Sequence, residues 1–190
     1  MIAFMVLLGQ PLLAGTVEGR ILQAKPAAHP DFVVSFEDVP GVFPPPKEVA
    51  VMDQRRLSFV PHVLVILSGT AVEFPNGDPV SHNVFSISSA KRFNLGLYVR
   101  GAKRQITFDQ PGIVELLCNV HLEMSGYILV MKNPYFTTAN SDGFYRITGV
   151  PAGRYRLRCW NEGLGAQERT VQVPQTGSVT VDFPMGGQPR

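Results

Sequence analysis

Apolar and β-branched residues come in short bursts cut off by Gly, Pro, Asn and Asp, not at the three-and-four spacing of an amphipathic helix. Residues 17–22, 32–36, 63–67, 71–74, 83–87, 104–108, 113–117, 127–131, 143–147, 154–159, 169–173 and 178–183 read as strands. Ser68-Gly69, Pro75-Asn76-Gly77-Asp78, Gln110-Pro111-Gly112, Ser141-Asp142-Gly143 and Pro151-Ala152-Gly153 supply turns between them. Short strands at this spacing predict an all-β chain built from β-sandwiches.

The first apolar burst is different. Residues 1–14 carry one polar side chain, Gln10, and the first charge is Glu18. The run is shorter than the ~20 residues that span a bilayer, so no transmembrane helix is expected. It has the length of the apolar core of an export signal, with Ala14 and Gly15 at a plausible cleavage point. No Lys or Arg precedes it, which a truncated leader would explain; a buried first strand is the other reading. An export signal, taken as residues 1–15, would put the mature chain in a periplasmic or secreted, oxidising setting.

Two breaks divide the rest. Residues 40–46 hold four Pro, including Pro44-Pro45-Pro46, and read as a stiff connector. A second break falls near Asn133-Pro134. Residues 49–132 between them form a self-contained β unit. Neither flank has enough strands to bury a core alone. Residues 16–48 and 133–185 are therefore expected to form one discontinuous sandwich into which the middle unit is inserted; two domains in series after an N-terminal extension is the alternative.

Composition narrows the function. A net charge of +2 is too small for a nucleic-acid binder recruited by bulk charge. Two Cys cannot build a four-thiolate zinc site or a disulfide-rich scaffold. Four His cap the imidazole ligands. Residues 91–108 hold Lys91, Arg92, Arg100, Lys103 and Arg104 with no acid among them, either a solvated face or a docking surface for an acidic partner.

The chemistry is concentrated in Cys118, His121 and Met124, spaced Cys-x2-His-x2-Met, with His82 thirty-six residues upstream of Cys118. One thiolate, two imidazoles and one thioether are the donor inventory of a blue-copper site. Zinc competes for Cys and His, but a thioether is a poor zinc ligand. A Cys118–Cys159 disulfide is the rival use of the thiol; Cys159, in an alternating strand beside Trp160, reads better as a buried inert thiol. His62 reads as structural, His29 as exposed and Glu123 as a solvent-facing loop residue. No hydrolase, metalloprotease or phosphate-loop motif appears, so a non-enzyme is expected.

These residues carry a resemblance. The run 67–74, then Asn76, Asp78 and His82-Asn83-Val84, followed by 108–112, Cys118, His121, Met124 and Gly126, resembles the cupredoxins. The short ligand loop is closest to the amicyanin type, within the amicyanin- and plastocyanin-like group, and the whole layout resembles methylamine-utilisation-like cupredoxins. Val114 departs from the family, which often has Tyr there, and should affect packing rather than coordination. The flanks, with Asp142-Gly143-Phe144-Tyr145 and then Pro151-Ala152-Gly153-Arg154, resemble the transthyretin-like sandwich of the carboxypeptidase regulatory-like family. The resemblance implies a Greek-key sandwich binding one type 1 copper through His82, Cys118, His121 and Met124. Asn83 would tie the two ligand loops together. The implied function is electron transfer between Cu(II) and Cu(I), exchanging with a cytochrome- or dehydrogenase-type partner near Leu122; a periplasmic copper-trafficking protein is the alternative.

Overall fold

The computed structural model describes residues 14–23 and 31–186. Most of the run 1–14, and His29, lie outside the described residues. In chain order the strands are β1 (Ala14–Gln23), β2 (Val33–Phe36), β3 (Ala50–Val51), β4 (Asp53–Arg55), β5 (Ser58–Val60), β6 (Val63–Leu67), β7 (Thr70–Pro75), β8 (His82–Ser86) and β9 (Phe93–Tyr98). They continue with β10 (Lys103–Phe108), β11 (Gly112–Leu117), β12 (Ser125–Met131), β13 (Phe136–Thr138), β14 (Phe144–Pro151), β15 (Gly153–Asn161), β16 (Gly165–Val173), β17 (Ser178–Thr180) and β18 (Phe183–Met185). No helix occurs among the described residues, in keeping with the all-β expectation.

The middle strands face one another in two sheets. One runs β10-β7-β3 and the other β6-β12-β11-β8-β9, with β4 and β5 as a separate hairpin. Their inward side chains, among them Met52, Phe59, Val72, Phe74, Val84, Phe108, Val114, Leu116 and Ile128, form one buried cluster. Val114 is fully enclosed there, so its departure from the family pattern is a matter of core packing.

The outer strands build a second pair of sheets. β1 pairs antiparallel with β14 and parallel with β17 and β18; the other sheet runs β13-β2-β15-β16. Strands before residue 40 thus hydrogen-bond to strands beyond 135, and Val17, Phe32, Val34, Phe36, Tyr145, Leu157 and Cys159 share one core. The stretch 178–183, expected as one strand, is two. Ser178 pairs with Thr16 and Phe183 with Ile21, while between them the Val181 carbonyl occupies the space a Cβ on Gly19 would need. Only glycine admits that approach.

A third cluster joins the two sandwiches: Val33, Leu129 and Trp160 buried, with Val63, Val65, Ile113, Tyr127 and Met131 against them. Strand alternation explains it. Along β12, Ile128 and Val130 face the middle core, whereas Tyr127, Leu129 and Met131 face the seam. A strand buried on both faces reads as a continuous apolar run, as 63–67 and 127–131 do. Tyr127 meets Trp160 edge-on with ring centroids 5.4 Å apart, and His62 bonds across the seam to Glu162 at 2.7 Å.

Candidate metal centre

β8 and β11 are neighbours, with Leu117 paired to Phe85. His82 opens β8, and Cys118 directly follows β11. The chain then folds back through a short loop, closed by a hydrogen bond from the Met124 N–H to the His121 carbonyl at 3.0 Å, and re-enters the sheet as β12. The ligand-type atoms of His82, Cys118 and His121 consequently all lie within 4.8 Å of one another.

The atoms that face each other are informative. His82 Nδ1 is 3.1 Å from His121 Nδ1 and 3.9 Å from Cys118 Sγ. His82 is fully buried, and its other nitrogen, Nε2, is 2.8 Å from Asp78 Oδ2. An ionised carboxylate can only accept, so Nε2 carries a proton, which in the neutral ring leaves the lone pair on Nδ1. That lone pair points into the same small space as the thiol and the second imidazole. Cys118 is 3 % exposed and Met124 1 %, both within the middle core, while His121 is half-buried at the surface. Two nitrogens and a sulfur converging on one small space, with Met124 buried in the same core as Cys118, are a donor set suited to a soft transition metal, copper above all.

Burial would raise the Asp78 carboxyl, but hydrogen bonds from the Leu57 N–H, His82 and the Arg56 N–H outweigh it and hold the group below the usual carboxylate range. Asp78 therefore stays an acceptor at neutral pH. Its bond to His82 could not be read from the sequence, although Asp78 stands four residues before that ligand. The only signal was its place between Asn76 and His82 in the run that carries the cupredoxin resemblance.

Other expected site residues are distributed differently. Asn83 donates from Nδ2 to Asn94 Oδ1 at 2.7 Å on β9, and its Oδ1 is buried without a partner; neither atom bonds to the Cys118–Met124 loop. The basic segment is partly neutralised by acids from neighbouring elements, Lys103 by Glu73 at 2.7 Å and Lys91 by Asp109 at 3.7 Å. Arg104 stacks over the Tyr98 ring at 5.2 Å. Arg92 and Arg100 are exposed, and Leu122 projects from the ligand loop at 85 % exposure. Glu123 is exposed, as expected. Cys118 and Cys159 are both free thiols, buried in different sandwich cores. Desolvation pushes the Cys159 thiol up to about 12.

Residues 127–186 match the family model of the carboxypeptidase regulatory-like domain. That stretch begins inside β12 and ends at β18, so it takes in one seam strand of the middle unit along with most of the outer one. No curated protein matches the chain by sequence. Among solved structures, the chain is similar to a Cu-containing nitrite reductase from Thermus scotoductus SA-01, with 29 % identity and a TM-score of 0.43 over 45 % of this chain and 23 % of that one. It is also similar to a purple cupredoxin from Nitrosopumilus maritimus, with 25 % identity and a TM-score of 0.38 over 43 % of this chain and 97 % of that one. A reduced amicyanin variant aligns with 19 % identity and a TM-score of 0.42 over 45 % and 84 %. The chain spans less than a quarter of the nitrite reductase, and each of these alignments covers under half of this chain. The molecule is thus an all-β protein of two joined sandwiches, one carrying a His-Cys-His cluster, with residues 127–186 similar to the carboxypeptidase regulatory-like domain.

Proposed function

We propose that the protein is an exported blue-copper electron carrier, holding one copper through His82, Cys118, His121 and Met124. The observation that carries this reading is the convergence of His82 Nδ1, His121 Nδ1 and Cys118 Sγ on one buried point. Copper, when bound, supplies a one-electron couple. The protein's part is to hold two donors at strand ends and His121 in the short loop between β11 and β12, and to place Met124 as a weak fourth, which limits ligand movement between oxidation states. The apolar run at residues 1–14 supports export to the periplasm or beyond.

Electron exchange would run through His121, the one half-exposed ligand, with Leu122 beside it making close apolar approach possible. Arg92, Arg100 and Arg104 lack acidic partners among the described residues and would steer an acidic redox partner of the cytochrome or dehydrogenase type, an effect that fades with salt. A carrier rather than an enzyme is the reading for a chain whose third described histidine, His62, is engaged with Glu162 at the seam. The outer sandwich is read as one discontinuous unit hosting the middle one; the pairing of β1 with β14 and of β2 with β15 supports this.

Retention of the metal separates electron transfer from copper trafficking. The copper-loaded protein is reduced, exposed to a Cu(I) chelator of moderate affinity and reoxidised. Full return of the visible band is expected. Rapid stripping of the reduced form would favour trafficking instead.

A further inference from the structure

We propose that the hairpin of β4 and β5 is a backbone cradle that positions His82 through Asp78; this rests on the copper reading above. The turn of the hairpin is unusual. Arg56 and Leu57 both adopt left-handed backbone, with φ of 53° and 58°. Asn or Gly would make such a turn at little steric cost, yet neither is used. Two successive residues in this conformation turn their N–H groups to the same side, and both are spent on one carboxylate: Arg56 donates to Asp78 Oδ1, and Leu57 donates to Oδ2 at 2.9 Å. The carboxylate has one remaining strong partner, His82 Nε2 on the same Oδ2 at 2.8 Å.

The hairpin is itself locked in place. Gln54 is fully buried, donates from Nε2 to the Pro75 carbonyl at 2.9 Å and to the Tyr98 hydroxyl, and accepts from the Gly77 N–H at 3.0 Å. Asn76 completes the frame, accepting the Asp78 N–H at 2.9 Å and donating to the carbonyls of Val80 and Tyr98. Asp78 is thus held from above by the hairpin and from behind by Asn76, with no freedom to leave the imidazole.

His82 is therefore fixed as the Nε2–H tautomer before any metal arrives. Its Nδ1 is aimed at the space shared with Cys118 and His121, and a carboxylate behind a ligating imidazole strengthens its donation to a metal. His121 has no comparable carboxylate: among the described residues its ring bonds only to His82. One imidazole is rigid and electron-rich, the other adaptable. A stronger donor favours Cu(II), so the cradle lowers the reduction potential. Asp78 is a positioning residue in this scheme and touches no metal.

The test has two independent arms on the full-length chain. In the first, 15N-edited spectra of the metal-free protein report the His82 tautomer. The expected result is a protonated Nε2 with a slowly exchanging proton; a protonated Nδ1 overturns the proposal whatever copper does. In the second, Asp78→Asn replaces the carboxylate by an amide that cannot accept from all three donors. Losses of ligand partners of this type typically reduce metal affinity by about 10–100-fold. A 10-fold loss confined to Cu(II) corresponds to a rise of about 59 mV in a one-electron potential. A folded variant with the parent tautomer and potential would overturn the cradle. Should the variant not fold, the first arm decides alone. A parent protein with the expected tautomer but no Cu(II) binding would refute the copper reading and leave the cradle standing.

Discussion

The two thiols of this chain have the same residue type and opposite surroundings. Cys118 ends a strand beside two imidazoles; Cys159 is fully buried among Val34, Leu157 and Tyr145 in the outer core. Removal from water penalises the thiolate, which is why Cys159 is pushed from 9.0 up to about 12. A raised pKa in the folded state favours folding fully below the unfolded value and loses that benefit as pH rises through the folded one. The window here is pH 9 to about 12. The difference in stability between the parent and Cys159→Ala should therefore narrow steadily in the parent's disfavour across that window, read by urea unfolding. An iodoacetamide adduct on native Cys159 at pH 8 would contradict this account of its burial. At this scale residue type and local spacing single out Cys118 and His121 as candidates, and the structure brings both within reach of His82. The sequence could not reveal Asp78 as the partner of His82, because that contact depends on which nitrogen of a ring faces which way.

At the level of elements, periodic strands were legible and aperiodic ones were not. Residues 63–67 and 113–117 were bounded correctly or nearly so, since continuous apolar or β-branched character survives any local reading. The β4–β5 hairpin was missed. Its strands, Asp53-Gln54-Arg55 and Ser58-Phe59-Val60, have no alternation to detect, and its turn carries no Gly. The order of that hairpin comes instead from Gln54 and Asp78, which lie in tertiary contact. β9 was missed because Gly96, at a φ of 71°, interrupts Phe93–Tyr98. The left-handed turn makes a direct prediction. An L-residue there costs roughly 1–2 kcal/mol, and glycine in its place costs up to about 1 kcal/mol in chain entropy. Arg56→Gly keeps the N–H that Asp78 needs and removes only an exposed side chain. Its thermal midpoint should equal or exceed the parent's by a few degrees. A loss of more than about 1 kcal/mol would mean that the Arg56 side chain stabilises the hairpin in some way beyond its backbone.

For the whole molecule, the seam decides how the two sandwiches behave. Trp160, Leu129 and Val33 are buried only because both units are present, and β1 and β2 complete sheets whose other strands lie beyond residue 135. Deleting residues 16–40 should therefore abolish amide protection in β14 to β16, measured by hydrogen exchange. Native-like protection of that half after the deletion would favour the serial arrangement of domains. The pairing of distant segments is what a sequence pattern conveys least: the flanks looked incomplete, but the register of Val17 against Ile147 is a property of the folded chain. Whether the cluster within the middle sandwich holds copper can be read from one spectrum. The full-length protein is loaded with Cu(II) and its visible absorption recorded beside that of Cys118→Ser. The account predicts an intense thiolate-to-copper band at one copper per chain, absent from the variant. A colourless parent, or a variant that keeps the band, would contradict it.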